Sequence, residues 1–549
     1  MLTKYQIADL LDEIADMLDF TGENVFKVNA YRNGSSALRK SEDDFDLLIS
    51  EKKLENLKGI GKGLQAVIYE LVETGKSQML EELKTKVPEG LTQLLKIRGL
   101  GAKKILLLYN SLEITNLDDL ENACIEKKLT TIKGFGEKAQ AAILEEIEKF
   151  KVNKKFLLLS TALRFADDIS SKLKKLKISS NFEVTGELRR KCEVISSIEF
   201  IVEIIQESDK EKIVAAFELA IEQDLGENTS LYPVPLKFHF TTAKEYFKKL
   251  FITTGSVEFV ESLAEKTSGS DYNSEEEIFQ AAGFDYIIPE MREIDFFKYG
   301  AELQHNSDLE LDGYKALLHF HTTYSDGVNS IEEMVLAAKK IGIEYAVVCD
   351  HSKTAAYANG LQEDRLAIQG REIKQLAKKL NFTIFRGIES DILGDGSLDF
   401  PEEVLRELKF VVASVHSRFN LDEEEQTNRI IKAVENPYTR LLGHPTGRLL
   451  LSRDAYKIDI KKIIDACAAN KTAIEINASP NRLDLDWRWI YYAREKGCLF
   501  AINADAHSTS DIAKTDYGVS VARKAGLLKS EVINYYTLEQ FEEFLKLKG

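Results

Sequence analysis

Across the first 150 residues, apolar positions recur every three to four residues, the spacing of helices that bury one stripe. The opening segment, "MLTKYQIADLLDEIADMLDF", sets Ile7, Leu10, Leu11, Ile14 and Leu18 on such a stripe. Further along, the period shortens to two. "VTGELRRKCEVISSIEFIVE" (184–203) reads as a turn and then a strand from Ile195 to Val202, with Ser197 and Glu199 on one face and Ile198 and Phe200 on the other. Beyond residue 313 the pattern becomes short continuous apolar runs, among them "EYAVVCD", "FVVASVH" and "LFAIN", separated by amphipathic stretches such as "SIEEMVLAAKKIG" and "DIKKIIDACAANK". Strands alternating with helices predict a parallel sheet, and seven such units predict a closed α/β barrel with its site at the C-terminal ends of the strands.

The helical part contains a weak repeat. "LKGIGKGLQAVI" (57–68), "KIRGLGAKKILLL" (96–108) and "TIKGFGEKAQAAI" (131–143) share Gly-apolar-Gly, a nearby lysine and a following helix. Gly59 and Gly61, Gly99 and Gly101, and Gly134 and Gly136 allow a tight turn whose N–H groups favour an anion, with Lys62, Lys103 and Lys138 beside it. These turns resemble helix–hairpin–helix motifs, which hold DNA phosphates without reading sequence.

Chemistry concentrates in the barrel. Of eight histidines in the chain, six lie between 319 and 507, each just after an apolar run. "HFHTTYSDG" supplies His319, His321 and Asp326; "CDHS" supplies Asp350 and His351; "GIESDI" supplies Glu389. "SVHS" and "GHPTGR" supply His416 and His444, "EINASP" supplies Asn477, and "NADAHS" supplies Asp505 and His507. Imidazole and carboxylate without thiolate suit Zn²⁺, Mn²⁺ or Fe²⁺, and so many donors suit three ions better than one. Such a cluster can polarise a phosphoryl oxygen, activate water and stabilise the leaving alkoxide, so the expected reaction is metal-assisted phosphoester hydrolysis. Arg418 and Arg448, each shortly after a histidine, are placed to clamp substrate phosphates.

Composition adds bounds. At 549 residues the chain is too long for one core. A net charge of −17 argues against non-specific coating of nucleic acid, though not against local phosphate contacts. No stretch approaches the ~20 apolar residues of a membrane helix, the N-terminus lacks signal-peptide features, and five cysteines without pairing or metal spacing suit a reducing cytoplasm.

The motifs "HFHTTYSDG", "DHS", "GIESDILGDGSLDF", "SVHS", "GHPTGRLL", "NASPNRLDL" and "DAHS" resemble, in order, those of the PHP (polymerase and histidinol phosphatase) domain. With the helix–hairpin–helix turns and "VFKVNAYRNGSSAL" (25–38), the whole chain resembles a bacterial family X DNA polymerase carrying a C-terminal PHP domain. The resemblance implies that His319, His321, Asp326, His351, Glu389, His416, His444, Asp505 and His507 bind three divalent ions, Mn²⁺, Zn²⁺ or Fe²⁺, for 3′–5′ exonuclease or 3′-end-processing chemistry. His319, His321, His351, Glu389, His416 and Asp505 are expected to serve the catalysis directly.

It also implies five segments: an N-terminal helical domain (1–88), a helical fingers-like region (89–152), an α+β nucleotidyltransferase-like palm with a reduced thumb (153–290), a linker (291–312) and the PHP barrel (313–549). In the palm the sequence departs from the family. Where members carry Gly-Ser-x-Arg-Arg-Gly, Glu187 replaces the serine that meets the nucleotide triphosphate. Ser197 replaces the first metal-binding aspartate, Glu199 the second, and Pro235 falls at the third. Ile252 and Thr253 occupy the aromatic positions under the incoming sugar, and Val67 occupies the lyase lysine position. One carboxylate of three does not hold two Mg²⁺ ions, so no Mg²⁺ is expected there and the polymerase centre is expected to be inactive. Arg189 and Arg190 are kept, either for a phosphate or for ion pairs with Glu187 or Glu193.

The expected function is a DNA-binding, metal-dependent 3′-end nuclease in DNA repair, acting on gapped or 3′-ended DNA. One rival is a gap-filling polymerase whose PHP domain proofreads. The other is a DNA-end-binding scaffold whose barrel hydrolyses a small phosphate ester.

Overall fold

A computed structural model describes residues 4–40, 45–57, 59–88, 90–178, 181–267, 269, 271–293, 296–297 and 307–548. Much of the expected linker, at 294, 295 and 298–306, lies outside the described residues. The backbone forms two compact units, 1–154 and 155–549.

The first unit is helical throughout. Its N-terminal helix, Lys4–Phe20, buries Ile7, Leu11, Ile14 and Leu18, the stripe anticipated from spacing. These residues share one apolar core with Ile68 and Leu71 from the helix Lys62–Thr74, Ile105 and Leu108 from Ala102–Leu112, and Ile143 and Ile147 from Glu137–Asn153. Val67, at the lyase position, packs half-buried against that core.

In the second unit, β1 (Leu157–Leu158) pairs with β3 (Val194–Ile195). Strands β2 (Phe182–Thr185), β4 (Ile198–Glu203), β5 (Ala220–Glu222), β6 (Leu225–Asn228) and β7 (Leu236–Thr241) form a five-stranded sheet in the order β2-β4-β7-β6-β5. The β4 strand begins at Ile198, so Ser197 precedes the strand instead of lying within it. Alternation on β4 and β7 buries Ile198, Phe200, Val202, Leu236, Phe238 and Phe240 in one core.

The barrel has the seven parallel strands expected: β8 (Ala316–Leu317), β9 (Tyr345–Val348), β10 (Thr383–Asp391), β11 (Phe410–Ser414), β12 (Thr439–Leu442), β13 (Ala473–Asn477) and β14 (Phe500–Asn503). They pair in sequence order, and a parallel bridge between Phe320 and Ala506 nearly closes the ring. Period-two alternation then divides each strand. Ala346, Val348, Val411, Ala413, Ile474 and Ile502 face the helical layer, while Tyr345, Val347, Phe410, Val412, Leu441, Ala473 and Ala501 fill the interior. At the N-terminal ends of the strands, Phe541 and Phe544 of the final helix, Leu538–Lys546, plug that interior. The inward positions further along, such as 351, 389, 416, 475 and 505, are polar, and they converge at the opposite end.

Palm and barrel are joined by charge. Lys524, on the barrel helix Thr515–Lys524, is 1% exposed and donates to Glu293 at 2.6 Å and to the Arg190 and Glu290 carbonyls. Arg488 adds a 2.8 Å pair with Glu193.

Candidate functional site

At the C-terminal end of the barrel the six clustered imidazoles form a continuous pile. His321 stacks on His507 and His351 with ring centroids 4.2 and 4.4 Å apart, and His416 lies 5.1 Å from both His351 and His444. Glu389 is their hub. Its Oε2 lies 2.9 Å from His351 Nδ1, and its Oε1 lies 3.2 Å from His444 Nε2 and 3.3 Å from His416 Nε2. Asp505 Oδ1 accepts from His321 Nε2 at 3.0 Å, and Asp326 lies 3.4 Å from His507 Nε2. All nine expected ligands therefore meet in one place.

Three sets bring their donor atoms within 4.8 Å of one another: His321, Asp326, His351 and His507; His319, His321 and Glu389; and His351, Glu389 and His416. In this cluster His319 Nε2, His321 Nδ1 and His444 Nδ1 are buried without a hydrogen-bond partner, and His351 Nδ1 and Glu389 Oε2, 2.9 Å apart, are not aligned to make one. A buried polar atom left unpaired costs ~1–3 kcal/mol, so several within one cluster fit a cation and not a self-contained network. The donor set is imidazole and carboxylate only. Cys349, beneath it, turns its thiol to the Leu318 carbonyl.

Charge in the cluster is strongly coupled. Burial pushes His321 down to about 3, helped by its neighbours His507 and His351. Burial opposes ionisation of Glu389, but His416, His351 and His319 hold it well below the usual carboxylate range. Burial opposes protonation of His416, but Glu389 and Asp391 lift it to about 10.

Around this set lies a ring of carboxylates that the sequence reading passed over or left without a role. Glu475, wholly buried on β13, accepts from His319 Nδ1 at 2.7 Å and from the His444 N–H at 2.7 Å. Asp391 accepts from His416 Nδ1 at 2.6 Å. Asp350, noted earlier as a ligand candidate, is instead wholly buried and accepts from Thr322, Ser325 and Gln369, which ties down the loop that carries Asp326. Asn477 donates to Glu475 and Asp505. The missing signal was available: Glu389 and Asp391, like Glu475 and Asn477, are spaced two apart, so each pair faces inward.

The two candidate phosphate arginines differ. Arg418 is exposed, holds a left-handed φ of 55°, and lies over Gly394, where a side chain would collide with its guanidinium. Among the described residues no carboxylate pairs with it. The Arg448 guanidinium is committed to Asp486 and to the carbonyls of Arg482 and Leu483, which braces the 482–486 loop.

In the palm, Glu199 Oε1 accepts from Ser197 Oγ at 2.5 Å, Oε2 lies 2.7 Å from His239 Nε2, and Lys237 stands 3.9 Å away. Burial opposes ionisation of Glu199, but His239, Ser197 and Lys237 hold its pKa low. Pro235 offers only its carbonyl, which accepts from the Ile198 N–H. Glu187 caps Ser196 through both N–H and Oγ. Arg189 and Arg190 form ion pairs with neither Glu187 nor Glu193. Arg189 is paired with Glu275 at 2.7 Å and Arg190 with Glu293 at 3.0 Å, both largely buried.

In the helical unit, Gly59, Gly99 and Gly134 have φ of 103°, 86° and 101°, a region that other residues rarely enter. Gly61, Gly101 and Gly136 cap the helices that follow, and a Cβ there would meet nothing within 4 Å. Lys62, Lys103 and Lys138 are exposed beside these turns.

Comparison with known proteins follows the same division. Residues 3–77 match a helix-hairpin-helix domain, 91–149 a SAM-like helix-hairpin-helix tandem, and 318–479 the PHP domain. The chain is 36% identical over 578 aligned residues to the DNA polymerase/3′-5′ exonuclease PolX of Bacillus subtilis, with 99% of each chain covered. It is also 30% identical over 251 residues to a probable phosphatase of Caldicellulosiruptor bescii, covering 42% of this chain and 95% of that one. A probable phosphatase of Thermoanaerobacter sp. is 30% identical over 248 residues, covering 43% and 96%.

Proposed function

The chain belongs to the PolX family, and we propose that it acts as a metal-dependent 3′–5′ exonuclease or 3′-end-processing phosphodiesterase whose palm no longer synthesises DNA. The observation that carries this reading is the convergence of nine donor residues in one cluster, several of whose buried nitrogen and oxygen atoms are unpaired. His319, His321, Glu389 and Asp505 would hold one divalent ion, Asp326, His351 and His507 a second, and His416 and His444, with Glu389 shared, a third. Bound there, Mn²⁺ or Zn²⁺ supplies Lewis-acid polarisation of the phosphoryl group and acidification of water.

The residues of the chain do the rest. Glu475 and Asp391 orient His319 and His416 by accepting from their Nδ1 atoms. Arg418, exposed two residues after His416, is placed to meet a non-bridging phosphate oxygen. The three Gly-x-Gly turns hold DNA backbone without sequence preference, which suits gapped or 3′-ended DNA in repair.

The palm reading rests on Glu199. With His239 and Lys237 beside it and Ser197 and Pro235 where acids would stand, the position is already charge-neutralised and offers one carboxylate instead of three. Similarity to probable phosphatases favours a second reading, hydrolysis of a small phosphomonoester by the same cluster.

A 5′-labelled gapped duplex incubated with Mn²⁺, with and without nucleotide triphosphates, separates the readings. Shortened primer that disappears in His351→Ala and Glu389→Ala, and persists in Glu199→Ala, is the expected result. Primer extension that Glu199→Ala removes would overturn the palm reading. Unchanged primer together with release of phosphate from a small monoester would favour the phosphatase.

A further inference from the structure

Beside the imidazole pile stands an exposed aromatic ring. Tyr357 lies in the short turn Ala356–Ala358, where Ala355 and Ala358 are buried, yet its own side chain is 70% exposed. Its ring centroid is 6.0 Å from that of His351 and 6.4 Å from that of His416, at interplanar angles of 60° and 73°. Neither imidazole is stacked on it.

The turn is held firmly. Arg365 donates to the carbonyls of Asn359 and Tyr324, and Asn359 Nδ2 reaches the carbonyls of Tyr324 and Ser325. Gly360 fits so closely against the Ser352 backbone that a Cβ would collide with it. The braced turn therefore carries the ring beside two cluster histidines with most of its surface in water. A singly exposed aromatic residue is ordinary on a protein surface. One carried at the mouth of a phosphodiester-cleaving cluster is placed where a nucleoside arrives.

We propose that Tyr357 is the platform on which the base of the 3′-terminal nucleotide stacks while its phosphodiester lies over the cluster. The inference rests on the 3′-end nuclease reading of the barrel and extends it to how the terminal nucleotide is recognised. Stacking on a π-face is tolerant of sequence because every base has one, which matches the sequence-independent contacts of the helical unit. A small phosphate ester without a base would gain nothing from this ring.

The test uses the full chain in two arms. In EDTA, an oligonucleotide ending in 3′-terminal 2-aminopurine is titrated with wild type, Tyr357→Phe and Tyr357→Ala. Quenching of the fluorophore by wild type and the Phe variant, and its loss in the Ala variant, is expected. Equal quenching by all three, or none by wild type, overturns the proposal. In the second arm, with Mn²⁺, KM and kcat are measured on ends with and without a terminal base. Tyr357→Ala should raise KM about tenfold on the normal end, leave kcat within about twofold, and change nothing on the abasic end, with Phe behaving as wild type. Loss of kcat in the Phe variant would assign the hydroxyl to the chemistry and overturn stacking as its role. Because the first arm needs no turnover, absence of cleavage by wild type would count against the nuclease reading alone.

Discussion

Glu475 and His319 are both wholly buried, and a carboxylate oxygen of the first accepts a hydrogen bond from Nδ1 of the second at 2.7 Å. A carboxylate only accepts, so Nδ1 carries the proton and Nε2 is left to face Glu389 and Asp505, 3.6 and 3.7 Å away. The other oxygen of Glu475 accepts from the His444 N–H. Both oxygens are thus committed as acceptors. In Glu475→Gln one of them becomes a donor facing a donor. Metal affinity is expected to fall ~10–100-fold, the usual cost of losing an outer carboxylate on a histidine ligand. Titration calorimetry with Mn²⁺ on the two proteins measures it. Unchanged affinity would mean that packing alone orients His319.

Asp350 makes a parallel case one layer out. It accepts from the Thr322 N–H and hydroxyl, the Ser325 N–H and hydroxyl, and Gln369 Nε2, with no acceptor among these partners. Asp350→Asn sets an NH₂ group against donors. The substitution should cost ~1–3 kcal/mol and loosen the turn that presents Asp326. Denaturant unfolding of the variant, with nuclease activity measured in parallel, checks both parts. A variant as stable as wild type would show that the loop does not depend on this carboxylate.

The barrel and its cluster of imidazole and carboxylate donors were legible because period-two alternation and strand-end histidines are both local patterns. The seven apolar runs became seven strands, and the inward parity of positions such as 351, 389, 416 and 505 follows from them. What was not legible depends on packing between distant segments. Glu475 was hidden inside an apolar run, where a lone buried acid gives no signal until His319 is seen 2.7 Å away. Arg448 sits as well as Arg418 in the sequence, and only the fold shows its guanidinium turned to Asp486. Arg189 and Arg190 found partners 86 and 103 residues downstream, at Glu275 and Glu293. Their role as internal braces, like the docking of Lys524 on the palm, had no counterpart in local spacing.

That docking gives the palm–barrel junction a pH dependence. Burial opposes ionisation of Glu293, but Lys524 and Arg190 outweigh it and hold its carboxyl down at about 2, below the ordinary 4.5. A depressed carboxylate stabilises the fold above its unfolded pKa and loses that contribution as pH falls through the folded one. The contribution is therefore complete above roughly pH 5.5, declines below 4.5 and is gone near 2. Its upper bound is ~3 kcal/mol, at 1.36 kcal/mol per pKa unit. Thermal midpoints of wild type and Glu293→Gln, followed from pH 7 to pH 3, should show a constant gap that narrows below 4.5. A gap that widens in acid would contradict the pairing.

The helical unit answers to salt instead of pH. Lys62, Lys103 and Lys138 are exposed beside three turns whose second glycines have open space around them. Each lysine that neutralises a phosphate releases condensed counterions, so log affinity falls with log salt by ~0.9 per contact on duplex DNA. Replacing all three lysines with glutamine should make the slope shallower by ~2–3 and weaken binding about equally for unrelated sequences. The helices keep their buried residues, so stability should change by less than ~0.5 kcal/mol per site. Fluorescence anisotropy with a labelled gapped duplex across 50–300 mM salt supplies the slopes. An unaltered slope would move DNA binding away from these turns, and a sequence-dependent loss would mean that the lysines read bases.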